Sequence, residues 1–125
     1  MRLRLAAIAL LSCGAAAGAH AADVDCHAYS MTQIDINTCA GQAFDEQDRE
    51  LNRLYARLVK SQDPAGLKKL QAAQRAWLQF RDLECVFETT SVGGSLAPYE
   101  TATCKAEVTK ARIVDLKRVL RDQVR

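Results

Sequence analysis

Apolar residues recur along this chain at alternating three- and four-residue steps, the period of helices with one buried face. The first such run spans about Thr32 to Ser61, with Ile36, Ala40, Ala43, Gln47, Leu51, Leu54 and Leu58 on its stripe. Thr32-Gln33-Ile34-Asp35 resembles a capping box at its start, with Asp where Glu or Gln is preferred. A second run begins at Asp63-Pro64, where Asp can cap and Pro suits the first helical position. Its expected inward stripe is Leu67, Leu70, Ala73, Trp77, Phe80 and Phe87, and it ends near Glu88. The segment Thr89 to Pro98 then carries β-branched residues, Gly93-Gly94 and a proline, the composition of a loop. A third run starts around Pro98 and continues nearly to the end, with Ala102, Ala106, Thr109, Ile113, Leu116 and Leu120 inward. Its last turns are basic (Lys117, Arg118, Arg121, Arg125), which complements the helix dipole. Nothing reads as a strand. Short connections make neighbouring helices antiparallel, so the pattern predicts an all-α fold, a small antiparallel three-helix bundle.

The residues before the first helix read differently. Met1-Arg2-Leu3-Arg4 is a basic start, Leu5 to Ala17 is an apolar, Ala-rich stretch, and Ala19-His20-Ala21 supplies a small-x-small cleavage pattern. The apolar stretch is too short for a membrane span. Residues 1–21 are therefore expected to be a signal peptide cleaved after Ala21, with Ala22 the close alternative, and 22–125 a single helical domain. Leu10-Leu11-Ser12-Cys13 loosely resembles a lipobox, but the segment before Cys13 is short for one. A soluble periplasmic or secreted protein is the expectation, and a lipoprotein anchored at Cys13 the alternative.

Cleavage changes the charge and cysteine counts. The seventeen basic residues lose Arg2 and Arg4 and then match the fifteen acidic ones, so the basic excess gives no support for nucleic-acid binding. The charge that remains is segregated. Residues 22–50 hold seven acids against Arg49, and residues 105–125 hold seven bases against three acids. Such a dipole can orient a charged partner.

Cys26, Cys39, Cys85 and Cys104 are left, an even number suited to an oxidising compartment. No Cys-x-x-Cys occurs and His27 is the only remaining histidine, so structural disulfides are expected and neither a metal site nor a cofactor is. In a hairpin turning near Gln62, Cys39 and Cys85 lie at one level, with Cys104 and Cys26 at the same pole. That level argument favours Cys39–Cys85 with Cys26–Cys104. The sequence-neighbour pairing, Cys26–Cys39 with Cys85–Cys104, stays open because four cysteines allow three connectivities.

Chemistry-bearing motifs are sparse. No nucleophile elbow is present, and the carboxylates of the first helix have no evident apolar pocket to split their pKa values, so an enzyme is not expected. Trp77 and Phe80 read as core. Arg75, Arg81 and Asp82 read as a partly buried ionic network closing the bundle's end, or as a contact surface beside the Gly93-Gly94 loop. The run Asp45-Glu46-Gln47-Asp48-Arg49-Glu50 is a solvated face or a steering surface. The loop from Glu88 to Pro98, flanked by Cys85 and Cys104, has a rigid base whatever its tip does.

These residues also form a recognisable pattern. Cys26, Thr32-Gln33, Asn37, Cys39-Ala40, Glu50-Leu51-Asn52 and Tyr55 make its first half. Leu67-Lys68, Ala73-Gln74-Arg75-Ala76-Trp77, Phe80-Arg81-Asp82, Cys85, Gly93-Gly94-Ser95, Pro98, Cys104, Thr109 and Arg112 make the second. The chain thereby resembles the LprI-like lysozyme inhibitor family over nearly all of residues 22–125. It departs at Ile34-Asp35-Ile36-Asn37, where Glu-Met-Asn is more usual. The resemblance implies a small helical, exported bacterial domain with lysozyme as its protein partner.

An inhibitor of a cationic enzyme with two cleft carboxylates could match it twice. Asp45, Glu46 and Asp48 would steer, while Ser91, Ser95 and the amides of Gly93 and Gly94 would enter the cleft, with Arg81 or Lys105 in support. The alternative is an accessory envelope protein that binds another periplasmic protein through a helix face.

Overall fold

The computed structural model describes residues 24–123. The expected signal peptide and Cys13 lie outside these residues. Among the described residues all the regular structure is helical, in the order α1 (Gln33–Lys60), α2 (Pro64–Glu88), a short 3-10 turn (Gly94–Leu96) and α3 (Ala97–Asp122). No described helix is long and apolar enough to cross a membrane.

Each start has a local cause. The Thr32 hydroxyl accepts the Asp35 N–H at 3.2 Å, and the Asp35 carboxylate accepts the Thr32 N–H at 2.9 Å, a reciprocal capping box. The Thr32 hydroxyl also donates to that carboxylate at 2.7 Å. Asp63 caps α2 by accepting the Gly66 N–H, and Pro64 occupies its first turn.

α1 and α3 run parallel and form the main packing interface. Leu51, Leu54 and Leu58 of α1 interlock with Ile113 and Leu116 of α3, and Tyr55, Leu70, Trp77, Val119 and Leu120 pack around them. Ser61 Oγ donates to Gln123 Oε1 at one end of this pair, and Asn37 Nδ2 donates to the Ser95 carbonyl at the other. The expected α3 stripe is inward as read, and so is most of the α1 stripe. Ala43 is exposed, and the neighbouring Phe44 takes the inward position.

α2 departs from the expectation. It packs against α3 and stands off from α1. Its buried residues are Gln74, Arg81 and Cys85, with Leu67, Leu70 and Trp77 half-buried beside them. Phe80 and Phe87, read as core, are 52% and 76% exposed, and Ala73 is exposed too. The helix is turned by about one position because its inward face carries Arg81, which finds its partners in the interior. Its Nη1 donates to Asp48 Oδ1 of α1 at 2.8 Å and to Thr109 Oγ1 of α3 at 3.2 Å. Its guanidinium lies over the rings of Phe44 and Trp77 at 5.0 and 5.2 Å. One side chain, 8% exposed, thus touches all three helices.

The disulfides join Cys26 to Cys39 and Cys85 to Cys104, each with Cα atoms 5.6 Å apart. This corrects the favoured pairing of Cys39 with Cys85 and of Cys26 with Cys104. A disulfide needs Cα atoms within about 7 Å, and packed helix axes lie about 8–10 Å apart or more. α2 stands off from α1 and turns the buried Cys85 toward α3, so sharing a level with Cys39 is not enough. Both bonds lie at the pole opposite the turn at residues 61–63, as expected.

Two outcomes follow from these contacts. Arg81→Ala leaves the Asp48 carboxylate and Thr109 without their shared donor, and should lower the unfolding free energy by about 3 kcal/mol in chemical denaturation. Arg81→Lys should recover only part of that loss, because an ammonium lacks the flat surface that stacks on Phe44 and Trp77. The hydrogen bonds from the Thr32 hydroxyl and backbone N–H hold the Asp35 pKa below its ordinary 3.8. Folding lowers that pKa, so the cap's contribution is complete above the ordinary value and is lost as pH falls through the lower folded one. The Thr32 amide resonance should follow that titration, and in Asp35→Asn it should not.

Candidate functional site

The loop between α2 and α3 is built on a fixed base. Thr89 ends α2, with its N–H and hydroxyl both donating to the Cys85 carbonyl, at 3.2 and 2.6 Å. The Val92 N–H then closes a turn onto the Thr89 carbonyl at 2.9 Å. Gly93 is extended, and Gly94 has φ of +65°, in the left-handed region that only glycine enters without strain. The 3-10 turn that follows leads into Ala97 and Pro98 at the start of α3. The Cys85–Cys104 bond ties the two flanking helices, and Asn37 holds the Ser95 carbonyl from α1. The loop is therefore attached to all three helices.

Its tip is open. Ser91, Gly93, Gly94 and Ser95 are all exposed at the disulfide pole. Beside the loop lies an open groove of ≈ 490 Å³, lined by Glu88, Glu100 and Glu107 with Thr89, Val92, Thr103 and Val108. No basic side chain lines it. Sequence reading missed these three glutamates as a group, because they come from the end of α2 and from positions two turns apart on α3. The signal was there in Glu100 and Glu107, seven residues apart and hence on one face of a helix.

The other expected site residues divide. Asp45 and Glu46 are exposed on α1 and make no ion pair with any described residue. Asp48 is held by Arg81. Arg81 itself is interior, and its guanidinium is spent on Asp48, Thr109 and the two rings rather than presented to a partner. Lys105 Nζ sits 3.2 Å from Asp82 Oδ1, while Arg81 Nε approaches the same oxygen at 3.5 Å. The expected ionic network therefore exists through Arg81 and Asp82, with Lys105 and Asp48 added. Arg75 stays outside it, exposed. On α1, Glu50 bonds Arg53 at 2.7 Å and Lys117 of α3 at 3.2 Å, and both cations lower its pKa. No cluster of potential metal ligands occurs among the described residues.

The geometry is that of a disulfide-stapled helical scaffold presenting a short polar loop, a form suited to binding. The family model described as Lysozyme inhibitor LprI matches residues 25–116, from just before Cys26 to the buried Leu116 of α3. The chain belongs to this family of inhibitors, whose partner is lysozyme. An uncharacterized protein of Rhizobium meliloti (strain 1021) is 34% identical over 127 residues, covering 89% of each chain. No solved structure matches. The family and the two disulfides are compatible with a protein that works outside the cytoplasm.

Gly94 tests how tightly the loop is specified. Nothing lies near the position of an added Cβ, so the left-handed backbone is the only obstacle to a larger residue. Gly94→Ala should lower the unfolding free energy by about 1–2 kcal/mol, read as a shifted denaturation midpoint with unchanged slope.

Proposed function

We propose that this protein is exported to the periplasm, after loss of a signal peptide over residues 1–21, and there inhibits lysozyme by occluding its cleft. The family match across the helical body carries the reading. The loop supplies the means. Hydroxyls of Ser91 and Ser95, with the amides around Gly93 and Gly94, are donors suited to the paired carboxylates of a lysozyme cleft. The glutamates of the adjoining groove suit the cationic rim of such an enzyme, and the unpaired Asp45 and Glu46 add to the steering field. A loop fixed at Cys85, Cys104 and Asn37 loses little freedom on insertion, which favours affinity. Arg81 contributes by holding the scaffold, not by touching the enzyme.

A peptidoglycan lysis assay tests this directly. Folded protein in molar excess should slow lysis, and Ser91→Ala with Ser95→Ala should weaken inhibition by about tenfold or more, as for two lost charge-assisted hydrogen bonds. Glu88→Gln, Glu100→Gln and Glu107→Gln combined should slow association and flatten its salt dependence. Absence of any slowing across several lysozyme types would sink the proposal.

A further inference from the structure

The face of α2 turned away from the bundle is apolar, and nothing in the fold covers it. Positions 72, 76, 80, 83 and 87 recur at steps of four, four, three and four, so they form one stripe along about 22 Å of helix. Phe80, Leu83 and Phe87 on that stripe are 52, 70 and 76% exposed, and Val86 beside it is 61% exposed. This is a contiguous patch, not scattered surface residues, and patches of this kind mark interaction surfaces.

Its internal order indicates the occupant. The N-terminal half carries only small residues, Ala72 and Ala76, and the C-terminal half carries the large ones, Leu83 and Phe87. A partner helix with the reverse order would fill the stripe, and an antiparallel second copy has that order. Where residue numbers sum to about 160, the two copies stand level. Phe87 then meets the copy's Ala72, Leu83 meets its Ala76, and Phe80 meets its own counterpart across the two-fold axis.

The flanking charges obey the same symmetry. In an antiparallel pair related by a two-fold axis, the same flank of each helix faces its counterpart. Arg75 and Asp82 share one flank, so each Arg75 lies opposite the copy's Asp82. Arg75 is exposed and makes no ion pair with any described residue, whereas Asp82 is half-exposed beside Lys105. A parallel pair would set Phe against Phe, stacking large on large, and would turn each Arg75 toward the copy's other flank, away from its Asp82.

We propose that this chain self-associates as an antiparallel dimer through the Ala72–Phe87 face of α2, with Phe80 at its centre, Leu83 packed on the copy's Ala76, and Arg75–Asp82 pairs at its edge. The loop and its acidic groove lie on other surfaces, so each copy keeps its own candidate site.

Sedimentation equilibrium of the disulfide-intact protein, from micromolar to millimolar, tests the proposal. It should show a monomer–dimer equilibrium. Leu83→Glu should raise the dissociation constant by about tenfold or more, with the circular dichroism spectrum unchanged because Leu83 makes little contact within its own fold. A thiol-specific crosslinker should join copies carrying Gln79→Cys, beside the two-fold axis, and should not join copies carrying Ala72→Cys. A monomer throughout the range, a dimer indifferent to Leu83→Glu, or crosslinking through Ala72→Cys alone would overturn it. Loss of lysozyme inhibition in a Leu83→Glu protein that is monomeric before and after substitution would also overturn it, assigning the face to the enzyme.

Discussion

A guanidinium removed from water must recover its lost hydration inside the protein, and Arg81 does so by reaching into both neighbouring helices. The Asp48 carboxylate, the Thr109 hydroxyl and the faces of Phe44 and Trp77 are its substitutes for solvent. None of these can move far without exposing the others to an unpartnered charge. The orientation of α2 follows from this demand. Turning the helix to bury Phe80 and Phe87 would gain about 1.5–3 kcal/mol for each side chain buried. It would also carry Arg81 away from Asp48 and Thr109 and take Gln74 and Cys85 out of the interior. The aliphatic pair of α1 and α3 therefore supplies most of the apolar core, and α2 is fitted to it largely by polar and aromatic contacts.

Where apolar periodicity coincides with burial, the structure was legible from the residues. Thr32 and Asp63-Pro64 mark the first two helix starts because their hydrogen bonds are local and need no tertiary context. Thr109, Ile113 and Leu116 mark the inward face of α3 for a similar reason. α2 was misread because hydrophobicity and burial part company there. Its two most informative inward residues, Gln74 and Arg81, look like surface residues on any scale that ranks side chains by polarity alone. In the Phe-Arg-Asp segment the partly buried ionic network of Arg81 and Asp82 was legible, whereas Phe80, read as core, lies exposed.

The cysteine pairing failed for a related reason. Counting residues from a turn gives height along a helix but not direction around it, and disulfide geometry demands both. Cys85 and Cys39 share a height, whereas Cys85 and Cys104 share a direction. The candidate site shows the same division. Ser91 to Ser95 could be read as an exposed loop from composition, while the acidic groove required knowing which turns of α2 and α3 adjoin.

The bonds observed each close a short stretch, separated by thirteen and nineteen residues, and neither encloses the other. Numbered in chain order, the four thiols Cys26, Cys39, Cys85 and Cys104 pair first with second and third with fourth. An oxidant that met the chain from its N-terminal side would therefore make the final bonds directly, with no contact between distant segments needed first. The nested arrangement that a level-by-level reading favours would have required the helices to assemble first, or an isomerase to repair what haste had joined.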